Sequence, residues 1–279
     1  MTVATELVHI GNPIVRAGNA ELWLPDYVMP TLQNTDIPTE AELLEHCVTQ
    51  MYPLGTKLVK KDFIARYCHA GETMTQYGFM KGCYTQIPGK SGNSAGFGFE
   101  GAAYAACAIG ATAIKIADTA AVKNYYQGGL LTIYDDTEHI YSDYEIIGND
   151  ATDATTTTLY IKPPGLKVAL TTAMGIDAYL SPYRNIRQLS TGGGYSSAMG
   201  YAKFPVTTAY FFWLQTAGRI SGVTGASTWP GQTQYYRDVY ANTDGSLLTY
   251  SAGKQRVGYL LFRTASDYGD NTIMLQLDS

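Results

Sequence analysis

The apolar residues of this chain recur mostly every second position, and that spacing confines it to β structure. The clearest case lies at the C-terminus. Over Thr272–Asp278, Ile273, Leu275 and Leu277 alternate with Thr272, Gln276 and Asp278, the pattern of a strand with one covered face. Thr112–Ala117 alternates likewise, with Ile114 and Ile116 on one side. Lys57–Lys60 and Phe63–Cys68 flank a Lys61-Asp62 turn and read as a hairpin. Leu130–Tyr134, Asp143–Ile147 and Thr155–Lys162 follow as strands between polar turns, closed by the break Pro163-Pro164-Gly165. Ala209–Thr216 and Arg256–Arg263 are apolar on both faces, which suits central strands or strands with a face buried at an interface.

Helical spacing is scarce. It is clearest over 39–51, where Thr39 and Glu42 form a capping box ahead of Leu43, Leu44, Cys47, Val48 and Met51, and Pro53 stops the run. A second, short helix is expected over Ala120–Tyr126, capped by Asp118 or Thr119 and ended by Gly128-Gly129. Residues 1–37 carry prolines and turn formers without periodicity and read as an extended arm, while 69–101 is glycine-rich and reads as loop. The expected fold is therefore mainly β: antiparallel β-barrel or sandwich lobes with one or two short helices and an extended N-terminal arm. The expected organisation is an arm plus helix over 1–50, a first β lobe over 51–165 and a second over 166–279.

Charge narrows the functions. Charged residues make up 15% of the 279-residue chain, against roughly 25% in ordinary soluble domains, while Tyr occurs 23 times and Gly 29 times. A Tyr-rich, charge-poor surface suits burial against partners, and the same composition also follows from the fit of Tyr and Thr to strands. The net charge is −5 and no basic block occurs, so no nucleic-acid footprint is expected. No apolar run is long enough for a membrane helix. The N-terminus lacks the pattern of a secretory signal, so synthesis in a cytoplasm without export by the general route is expected.

Sites of chemistry are hard to find. His46-Cys47 and Cys68-His69 invite zinc, but the spacing matches no ligand pair. Gly96-Phe97-Gly98-Phe99-Glu100-Gly101, with Asp118 downstream, fits the letters of a dinucleotide fingerprint. A loop precedes it where a buried strand is required. Asp135, Asp136, Glu138, Asp143, Glu145, Asp150 and Asp153 gather in one region without calcium-loop spacing. No catalytic residue, cofactor or metal ligand is expected, and the chain reads as a non-enzyme. The aromatic residues Trp23, Phe211, Trp213, Trp229, Tyr235 and Tyr236 are the candidate interface.

Several segments resemble tailed-bacteriophage virion proteins. Ile109–Ile116 is similar to a strand common in them; a short helix follows, then a turn and strand of the kind Tyr125-Tyr126-Gln127-Gly128-Gly129-Leu130-Leu131-Thr132-Ile133-Tyr134, and then Tyr144-Glu145-Ile146-Ile147-Gly148-Asn149. Leu54–Gly71 and Tyr210–Gly218 look like the same proteins. The resemblance implies a non-enzymatic capsid decoration or cement protein, or another head component. Its partners would be other copies of itself, as a homo-oligomer such as a trimer, and the major capsid protein, in a virion assembled in the host cytoplasm. The alternative is a host-glycan-binding tail or surface protein that uses the Trp229–Tyr236 loop.

Overall fold

The computed structural model describes residues 14–25, 36–84, 98–135, 140–189, 196–222, 237–248, 253–262 and 271–278. The mainly β expectation holds: the described residues form antiparallel sheets and a single short 3-10 turn.

The chain divides into two compact units, and the division is not sequential. Unit 1 contains 1–85 and 183–279, and unit 2 is the intervening 86–182. The expected lobe boundary at 165 therefore falls inside unit 2. The reason is strand pairing across the Pro163-Pro164 break, described below.

Unit 1 begins with β1 (Ile14–Ala17), β2 (Ala20–Trp23), β3 (His46–Cys47), β4 (Lys57–Lys60), β5 (Phe63–His69) and β6 (Met80–Tyr84). Unit 2 holds β7 (Gly98–Ala102), β8 (Ala113–Ile116), β9 (Leu130–Asp135), β10 (Ile140–Asn149), β11 (Thr157–Ile161) and β12 (Gly175–Tyr179). Unit 1 resumes with β13 (Arg187–Gln188), β14 (Ser196–Tyr201), β15 (Phe211–Gly222), β16 (Asp238–Ala241), β17 (Leu247–Leu248), β18 (Arg256–Phe262) and β19 (Asn271–Gln276).

The sheet of unit 1 runs β1-β2-β4-β5-β15-β19-β18-β16-β17, with β3, β14, β6 and β13 branching from β15. β15 is its spine, buried from Phe212 to Gly218, as a strand apolar on both faces must be. Its first half pairs with β5 on one side and with β3 and β14 on the other, and its second half pairs with β19.

Part of the expected N-terminal arm is regular structure. β1 and β2 form a hairpin about Gly18-Asn19, with Gly18 at φ +59°, and β2 pairs with β4. Leu22 is fully buried against Leu58, Tyr67 and Trp213, which is worth roughly 2 kcal/mol of transfer free energy. Lys61 takes φ +54° in the expected Lys61-Asp62 hairpin turn, matching strand twist. The glycine-rich stretch expected to be loop supplies β6 and β7.

Both helix expectations are corrected. The capping box forms, with Thr39 N donating to Glu42 Oε2 at 2.7 Å and Glu42 N to Thr39 Oγ1 at 3.3 Å, but the helix lasts only over Glu42–Leu44. Glu45 is already extended, and His46–Cys47 pairs with Phe211–Phe212. Leu43 alone of the apolar face is buried, so a second turn would have gained little cover. Over Ala120–Tyr126 the Asp118 cap exists, with Ala120 N donating to Oδ1 at 2.9 Å. Asn124, at φ +59°, breaks the helix into turns.

In unit 2 the strand order is β7-β12-β9-β10-β11-β8. β7 and β8, at opposite ends of that order, approach each other, so the sheet curls on itself. Its concave side buries Ile114, Ile116, Leu131, Ile133, Ile146, Leu159 and Ile176. β12 lies beyond the Pro163-Pro164 break and pairs with both β7 and β9. That pairing places 166–182 in unit 2.

Candidate functional site

A concavity lies in unit 1, where side chains from β4, β5, β14, β15 and the 3-10 turn meet around about 200 Å³. β15 supplies Trp213 and Gln215, which alternation along the strand places on one face. β5 adds Phe63, and the 3-10 turn adds Leu43 and Leu44. Charge sits on Lys60, Glu40 and Lys203. Lys60 Nζ pairs with Glu40, and that hydrogen bond and charge lower the Glu40 carboxyl below its usual range. Lys203 is exposed and stands 5.3 Å from the Phe63 ring centre, a cation–π distance.

Gln215 is 3% exposed. Its Nε2 donates to Ala217 O at 3.0 Å and Arg219 O at 3.1 Å, spanning an irregularity in the β15–β5 register. Its Oε1 is buried without a hydrogen-bond partner, an arrangement that costs about 1–3 kcal/mol when left unmet. A second, shallower depression of about 440 Å³ shares Tyr201 and Lys203 with the first and continues past Arg219 and Phe262. Phe262 is 66% exposed.

Three of the six aromatic residues singled out from sequence lie among the described residues. Trp213 is buried at 5% exposure and lines the cavity. Phe211 is half-buried, stacked on Tyr67 and tilted against His69. Trp23 is exposed, its Nε1 donating to Glu21 Oε2 at 3.1 Å. Trp229, Tyr235 and Tyr236 lie outside the described residues. Sequence reasoning missed Gln215, Lys203 and Phe63. A glutamine in a strand apolar on both faces was the available signal, since such a side chain must find partners or a function.

Other chemistry-bearing groups are tied into structure. β15 brings His46-Cys47 and Cys68-His69 to either side of Phe211-Phe212, but among the described residues no three His, Cys, Asp or Glu side chains group as metal ligands. Burial, then Arg184, lowers His69 to about 4, so its ring is neutral at pH 7. Lys81 is fully buried, and burial lowers its amine to about 8; its Nζ donates to the Gln76 carbonyl.

In unit 2, Gly98–Ala102 is an antiparallel strand rather than a turn entering a helix. Asp118 is buried and accepts from Tyr126, so neither it nor Gly98 and Gly101 present a dinucleotide site. Asp153 accepts from the amides and hydroxyls of Thr155 and Thr156 and closes a turn. Glu100 and Asp177 face each other across β7 and β12, with Thr132 and Asp143 next in the row. Burial, then Glu100, raises the Asp177 carboxyl.

No protein-family model, curated protein or solved structure matches this chain.

Proposed function

We propose that the protein is a non-enzymatic structural component of a bacteriophage virion, decorating or stabilising a capsid through contacts with its own copies and with capsid subunits. The observation that carries this reading is the exposure of large apolar side chains on a charge-poor chain. Leu44, Val48 and Met51 are 52%, 66% and 40% exposed in unit 1, and Ile109, Val122 and Tyr104 are 67%, 62% and 51% exposed in unit 2. Apolar surface of this kind gains by being covered. The resemblance of Ile109–Asn149 and Tyr210–Gly218 to virion proteins supports the same reading. Cementing by burial requires contacts of about 1,000 Å² or more.

Light scattering of the purified protein, alone and with phage capsid shells, tests it. A discrete oligomer and saturable binding to shells are expected, with V48D and I109D weakening one or both. A monomer that ignores shells overturns the proposal.

A further inference from the structure

We propose that the unit 1 cavity and the depression beside it form one groove for an anionic polysaccharide, with a hexuronic-acid unit seated in the cavity. The inference goes beyond the assembly reading and stands on separate observations.

The first is the buried acceptor. Gln215 contributes to the cavity wall while its Oε1 has no partner, and both Nε2 bonds are already committed to backbone oxygens. The amide can therefore gain only a donor. A sugar hydroxyl supplies one once a rotation of the side chain uncovers Oε1 at the expense of an Nε2 bond. The second is the lining. Phe63, Trp213 and Leu43 offer apolar surface, which suits the C–H face of a pyranose ring. At about 200 Å³ the cavity holds the equivalent of roughly six or seven waters at ~30 Å³ each, the scale of one six-membered sugar ring.

The third observation is charge. Glu40 pairs with Lys60 and also lies within electrostatic reach of Lys203, so the lining carries three cations, Lys60, Lys203 and Arg219, against one carboxylate. An excess of ammonium and guanidinium groups over acids favours carboxylates in the ligand. The chain as a whole is anionic at −5, so this preference is local rather than a long-range field. The fourth is continuity. Tyr201 and Lys203 belong to both depressions, and the groove extends to Arg219 and to the ring of Phe262. A lone small molecule would use only the cavity. A chain of acidic sugars uses its extension as well, stacking on Phe262 and pairing with Arg219.

The test is titration calorimetry on the whole protein, dilute and without capsid shells, so that it is independent of assembly. The probes are tetramers of galacturonate, mannuronate and alternating glucuronate, with maltotetraose as the neutral control and free glucuronate as the monomer. At least one uronate tetramer should bind at least ~10-fold more tightly than maltotetraose and than the monomer, a difference of about 1.4 kcal/mol. K203E should weaken that tetramer at least ~10-fold. R219E should weaken the tetramer more than the monomer. Q215L should also weaken binding; because Nε2 braces β15, the exposed Lys203 variant carries the test if Q215L unfolds. Absence of binding by every uronate overturns the proposal. So does equal binding of maltotetraose, which would mark a neutral-sugar site, or wild-type affinity in K203E.

Discussion

Tyr126 is fully buried and donates its hydroxyl proton to Asp118 Oδ2, while Asp118 Oδ1 accepts from Ala120 N at 2.9 Å. The backbone oxygen of Asp118 accepts from Thr152 and Thr157. Burial, then the Asp118 hydrogen bond, pushes the Tyr126 phenol well above its usual range, so it stays a proton donor. Y126F removes that donor and keeps the ring, leaving a buried carboxylate oxygen short of a partner. Urea unfolding should show a loss of about 1–3 kcal/mol. Asp278 gives a second residue-scale expectation. It accepts from Arg66 and Lys57, with Arg66 Nη2 at 3.0 Å and Lys57 Nζ at 3.1 Å. Burial alone would raise its carboxyl, but Arg66 and then Lys57 outweigh burial and lower it. Its contribution to stability is therefore complete above the unfolded value near ~3.9 and is lost as pH falls through the lower folded value. D278N should cost about 1–2 kcal/mol at pH 7. The gap to wild type should close below pH ~4, which denaturant midpoints across pH 2–7 would follow.

At the scale of elements, β15 does most to organise unit 1. Its register against β5 slips between Gln215 and Ala217, and Gly218 follows at φ +99°. A Cβ there would lie 2.3 Å from the Asp62 carbonyl oxygen. G218A must therefore displace the β4–β5 turn as well as adopt a backbone unfavourable to alanine. A loss of about 2–4 kcal/mol is expected in thermal or urea unfolding; a wild-type midpoint would contradict this account of the bulge. The same strand explains why the 39–51 helix stops early. Its cap and spacing were legible and its first turn forms, but the backbone of Phe211-Phe212 offers His46-Cys47 a strand partner. The pairing outcompetes a helix with one covered residue. The β1–β2 hairpin, by contrast, was not expected: its turn Gly18-Asn19 lies between short runs, among prolines, that show no clear period.

The whole molecule is an insertion: unit 2 leaves unit 1 after β6 and returns before β13. Among the described residues its six strands pair only with one another, and its apolar cluster draws only on residues 99–180. The segment 86–182 expressed alone should therefore fold, giving a β-type circular dichroism spectrum and one cooperative urea transition. A disordered spectrum would show that it depends on the rest of the chain. The reciprocal deletion should leave β15 paired with β5 and β19, because none of those strands comes from the insertion.

Alternation determined many of the strands: β4, β5, β8–β11 and β19 lie where the spacing of Ile, Leu, Val and aromatic residues puts them, because a two-residue period buries only one face, whereas β15 and β18 were marked by runs apolar on both faces. Capping chemistry determined where helical turns could start. Partners decided the rest. Two short strands in a glycine-rich run, β6 and β7, are held by β14 and β12, far along the chain, and no local pattern encodes a pairing at that distance. The two-unit division turned on which strands β12 joins, a pairing that the Pro163-Pro164 break does not interrupt. The groove depended on tertiary structure most of all. Phe63, Lys203 and Gln215 are unremarkable in sequence and come together only when β5, β14 and β15 bring a buried acceptor, apolar walls and an excess of cations to one place.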